Sequence, residues 1–115
     1  MKTFIFFICL LVTSISINAQ QRIEGLWDTG KDNTTIEIIN EEGNVHSSDN
    51  AKATTGKLII KDLKKTSNSY TGKLFIIKKN RWVDAEFVPK ENTLHVTISA
   101  GWQSKTLKWT LVKKS

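Results

Sequence analysis

Alternation with a period of two runs through most of this chain, and helical periodicity is nearly absent. Thr34-Thr35-Ile36-Glu37-Ile38 is β-branched and alternating, which sets Ile36 and Ile38 on one side of a strand. Asn40-Glu41-Glu42-Gly43-Asn44 reads as a turn and Val45–Ser48 as a short, weak strand. The polar stretch Ser47–Thr55 reads as the loosest loop. A strand around Leu58-Ile59-Ile60, a turn over 64–69 and a strand over Tyr70–Lys78 follow.

The C-terminal half admits a register. A turn at Lys79-Asn80 sets Leu74 opposite Ala85 and Ile76 opposite Val83. A turn over Pro89–Asn92 sets Phe87 opposite Leu94 and Ala85 opposite Val96, with Glu86 facing His95. A turn at Trp102-Gln103 sets Val96 opposite Trp109 and Leu94 opposite Leu111. One face then collects Leu74, Ile76, Val83, Ala85, Phe87, Leu94, Val96, Ile98, Leu107, Trp109 and Leu111. The other is mostly charged, with Lys73, Asp84, Glu86, His95 and Lys108, and also holds Phe75, Ile77 and Trp82. A meander of about eight short strands, apolar on one side only, must close or fold over. The expectation is an all-β, antiparallel up-and-down barrel, with a small sandwich as the alternative.

The N-terminus changes the picture of location. Met-Lys-Thr precedes the apolar run Phe4–Val12, and Ile17 and Ala19 suit signal-peptidase cleavage. Residues 1–19 therefore read as a signal peptide and 20–115 as a single exported domain, periplasmic or secreted. The apolar run is shorter than the roughly 20 residues that span a bilayer, so no transmembrane segment is expected after cleavage. The only cysteine, Cys9, leaves with the leader, which excludes a disulfide, a thiolate nucleophile and a cysteine-held metal from the domain. All four tryptophans remain.

Charge is uneven. Residues 20–50 carry two basic residues against seven acids, and residues 51–115 carry fourteen against four. Spread over several segments, the lysines read as a solvated strand face; gathered into one patch, they would meet anionic lipid or polysaccharide. Nucleic acid fits an exported chain poorly.

Short motifs at both ends, Gly25-Leu26-Trp27 and Lys105–Val112, resemble those of lipocalin-like (calycin) barrels. With Gly56–Leu63, Tyr70–Leu74 and Asn92–Val96, the chain resembles the bacterial exported family called domain of unknown function 2147. The resemblance implies a lipocalin-like barrel with no settled activity, in which Trp27 plugs the base and Lys105, where the family usually has arginine, stacks across it. The family's Tyr-Asp-Pro segment is replaced here by Phe75-Ile76-Ile77-Lys78.

Three candidate sites follow. The barrel interior, lined by Trp27, Ile36, Ile38, Leu74, Ile76, Val83, Phe87, Val96 and Trp109, would take a small apolar or amphipathic ligand if hollow, or serve as core if filled. Phe75, Ile77 and Trp82 would form a contact patch on the outer face, for an envelope protein or a membrane, or pack under the 47–55 loop. Glu86 facing His95, with Asp84 nearby, is the sole arrangement suited to acid–base work, and its solvated face argues against catalysis. His46 lies far off in sequence, and two histidines without a spaced carboxylate cluster make a poor zinc site. The reading is a non-enzymatic, monomeric binding barrel without metal or cofactor; the alternative is a protein-interaction or inhibitor module.

Overall fold

A computed structural model describes residues 22–114; the expected signal peptide, Cys9 within it, and the start of the domain lie outside the described residues. The architecture is a closed antiparallel barrel of eight strands in sequence order. These are β1 (Gly25–Asp28), β2 (Thr35–Ile39), β3 (Glu42–Ser47), β4 (Leu58–Lys65), β5 (Tyr70–Ile76), β6 (Arg81–Lys90), β7 (Thr93–Ala100) and β8 (Gln103–Lys114). β8 closes onto β1 through Asp28↔Thr110 and Gly25↔Lys114. Every strand thus has two neighbours, which answers the one-sided apolar pattern without a covering helix. Among the described residues, no helix is long and apolar enough to cross a membrane.

The turns follow local chemistry. Asn40 and Glu41, both at positive φ, form a two-residue turn, so β3 begins at Glu42, earlier than the sequence suggests. Gly101 at φ +68 opens another two-residue turn, with Trp102 second, as a type II′ hairpin requires. The β5–β6 connection takes four residues, 77–80: the Lys79 N–H donates to the Ile76 carbonyl (3.1 Å) and Asn80 sits at φ 53.

All three C-terminal hairpins differ from the expected register by two residues. Leu74 pairs with Val83, Phe87 with Val96, and Leu94 with Trp109. The slip moves partners along the strand but keeps every side chain on its expected face. Pro89 and Lys90, expected in a turn, extend β6 instead. Pro89 lies beyond the last β5 partner pair, Tyr70↔Phe87, so no β5 strand stands beside it to need its missing N–H.

The expected inner face is the core. Leu74, Val83, Ala85, Phe87, Leu94, Val96 and Trp109 are buried, and Ile76, Ile98, Leu107 and Leu111 pack half-buried against them. β2, β3 and β4 add Ile36, Ile38, Val45, Ile59, Ile60 and Leu63. Four ladders carry register shifts that tighten the curvature, at Leu26/Trp27, Thr35/Ile36, Gly43/Asn44 and Lys61/Lys64.

The strands also sort the connections into two ends. One end carries the 29–34, 48–57, 77–80 and 101–102 connections; the other carries residues 22–24, the 40–41, 66–69 and 91–92 turns, and Lys114. β1 pairs with only Thr110–Lys114, so the first half of β8 extends past the end of β1 and pairs with β7 alone.

Candidate functional site

The nine residues proposed for the interior all belong to one packed cluster, eight of them buried and Ile76 partly so. The largest fully buried side chains are Trp27, Phe87, Ile36, Ile38, Ile60, Leu94, Val45 and Val96. They come from six of the eight strands and belong to one core cluster, as side chains do when they fill an eight-stranded barrel. Trp27 holds its place by packing and by one polar contact: its Nε1–H donates to the Ile23 carbonyl at 2.9 Å, which folds residues 22–24 under the base. Glu24 then ties that segment to the next turn, accepting the Asn40 N–H on Oε2 (3.1 Å) and Arg22 on Oε1 (3.3 Å). Trp27 is buried and bonded to the segment that leads into β1, but Lys105 is not its partner. Trp27 pairs with Leu111, and Lys105 lies six residues away on β8 opposite Ile98, about 20 Å along the strand.

The expected acid–base neighbours are separated by the same two-residue slip. Glu86 faces Thr71 and Thr97, while His95 faces Val88 and Lys108. Glu86 instead accepts a hydrogen bond from the buried Ser69 hydroxyl (2.9 Å), which anchors the β4–β5 turn. His46 is exposed on β3. Among the described residues, no group of three or more His, Cys, Asp or Glu side chains could hold a metal ion.

The outer aromatic patch is real as a cluster but is not bare. Phe75 and Trp82 are cross-strand partners in an edge-to-face contact, with ring centroids 5.2 Å apart. Lys57 lies 4.7 Å over the Phe75 ring and Lys61 4.4 Å over the Trp82 ring. Phe75 and Ile77 are half-buried against the core. The two cation–π contacts were not legible in the sequence, because Lys61 reaches Trp82 diagonally across β5.

Two concavities stand out among the described residues, neither in the interior. One, of about 170 Å³, lies at the end that carries residues 22–24, between Ile23, Glu41, Leu63, Lys65 and Tyr70. The other, of about 640 Å³, is a wide trough on the outer wall between the charged and polar residues Lys64, Lys73, Asp62, Asp84, Glu86 and Thr97, with Gly72 and Ala85 also lining it. It forms where β4 bulges at Asp62, whose φ is 56. Lys73 and Asp84 form an exposed ion pair across it. Trp102, the other feature that sequence reading passed over as a mere turn residue, is 91% exposed.

Comparison with known proteins adds no relative: no family model, no curated protein and no solved structure matches this chain.

Proposed function

We propose that this protein is an exported, non-enzymatic binding module that meets its partner with its outer wall and loop end. The leader-like apolar run at the N-terminus supports export, and the resemblance to the exported barrel family supports the same setting. The observation that carries the reading is the interior: Trp27, Phe87, Ile36, Ile38 and Val96 are fully buried there and pack on one another. A barrel whose inside is a core has only its outside to offer. The charged trough, the lysine-capped aromatics and the projecting Trp102 are the features that outside presents. The separation of Glu86 from His95 supports a role without acid–base chemistry.

The competing reading, an apolar ligand held in the interior, is tested directly. Protein recovered from the exported fraction is weighed by native mass spectrometry, then melted with saturating fatty acids. A ligand at a hundred times its Kd adds about 2.7 kcal/mol of stability, roughly 10–20 °C in a domain of this size. The expected result is the bare mass and no upward shift in Tm. A co-purifying small molecule, or a shift of that size, overturns the proposal in favour of the hollow barrel.

A further inference from the structure

We infer that the loop end of the β5–β8 wall docks on an anionic lipid surface, with Trp102 entering the interface. The inference rests on the outside-binding reading and names its partner.

The geometry begins at the β7–β8 hairpin tip. Trp102 occupies the second position of the two-residue β7–β8 turn, held outward by Gly101 at φ +68, and is 91% exposed. An indole projecting from a hairpin tip leaves a large apolar surface in water, whereas at a membrane interface its ring is apolar on one side and wet on the other. Continuing the β6–β7 register past Asp84↔Ser99 brings Trp82 level with Gly101 and Arg81 level with Trp102. The β5–β6 turn, carrying Lys78 and Lys79, therefore stands beside the Trp102 tip. Lys78, Lys79, Arg81 and Lys105 are all exposed. No acid occurs between residues 77 and 83, and none follows Glu91. The nearest carboxylate on this wall, Asp84, is already paired with Lys73. Just below the tip, Phe75 and Trp82 form an aromatic pair with Lys57 and Lys61 above their rings. An exposed tryptophan at a hairpin tip, exposed cations on the neighbouring turn and strands and an aromatic pair beneath match the layering of a headgroup interface.

An anionic polysaccharide would also attract the cations. A lone indole at the tip, with no second ring among the described residues aligned beside it to stack successive sugars, fits the lipid interface better.

The test uses exported protein and sedimentation with vesicles of phosphatidylcholine alone or mixed with phosphatidylglycerol. Binding is expected to the mixed vesicles, weakening as salt rises, with a blue shift in tryptophan emission. Lys78→Ala with Lys79→Ala is expected to weaken binding on the order of tenfold to thirtyfold, each basic residue being worth about fivefold. Lys113→Ala with Lys114→Ala removes the same charge from the opposite end and is expected to change binding less than about twofold. Trp102→Ser is expected to abolish the blue shift while leaving the melting curve intact, because nothing packs on that ring. Equal loss from both lysine pairs, equal binding to both vesicle types, or capture by dextran sulfate beads without vesicle binding would overturn the inference. Any of these leaves the bare mass of the previous experiment untouched, so the two readings fail separately.

Discussion

Gly72→Ala tests the account of how the barrel wall is shaped. Gly72 lies on β5 opposite Ala85, where the bulge in β4 swings toward it. A Cβ there would stand 2.9 Å from the Lys61 carbonyl oxygen, 3.3 Å from that of Asp62 and 3.2 Å from Leu63 Cδ2. Two of the three neighbours are backbone, and Leu63 is buried, so no rotamer change relieves the contact. Overpacking of this kind costs about 1–3 kcal/mol. Alanine also restricts the unfolded chain, which offsets about 0.4–1 kcal/mol. The net is a loss of about 1.3 kcal/mol, or roughly 5–10 °C in Tm. Thermal melts followed by circular dichroism and urea titrations measure it, with an unchanged m value showing that the denatured state is not the cause. Gly56→Ala serves as the contrast. Its φ is +90 with open space around it, so its cost arises from the backbone alone. A Gly72→Ala protein that melts at or above the parent would show that the β4 bulge is not pressed against β5, and the origin assigned to the trough would fall with it.

Trp27→Phe removes the donor to the Ile23 carbonyl and part of a buried ring, and is expected to cost about 2–4 kcal/mol. Faster amide exchange confined first to residues 23–28 should accompany it, and a loss below about 0.5 kcal/mol would refute the anchoring role of Trp27. Lys73→Ala breaks an exposed pair with Asp84 and is expected to change stability by less than about 1 kcal/mol in urea titrations.

The fold was legible because inward and outward positions depend only on parity. Val83, Phe87, Val96 and Trp109 could be placed on the inner face without knowing their partners. The partners themselves were not legible. A two-residue slip costs the alternating pattern nothing, so turn length decides register, and the β5–β6 connection takes four residues where two looked sufficient. The Glu86–His95 pairing was lost to that ambiguity. The Trp27–Lys105 contact failed for a different reason: it needed the height at which β8 meets β1, which depends on bulges that leave no mark in composition. Asp62 at positive φ is such a case, since an aspartate between Lys61 and Leu63 looks like an ordinary outward strand residue. Trp102 was visible as a residue, but its exposure follows from Gly101 fixing the turn one position earlier than expected.

The slip by two has a consequence for how this chain can change over time. Loop lengths at the hairpins are quantised. Gaining or losing a pair of residues in a turn can be absorbed by sliding one strand a full pleat, since the oily side stays oily. A single inserted residue cannot be absorbed that way: it would rotate an entire strand, turning Leu94, Val96 and Ile98 to the water and Thr93, His95 and Thr97 to the inside, unless a new bulge takes up the odd residue. Descendants and engineered variants of this barrel should therefore differ in hairpin length by even steps, with odd steps appearing only alongside a local kink.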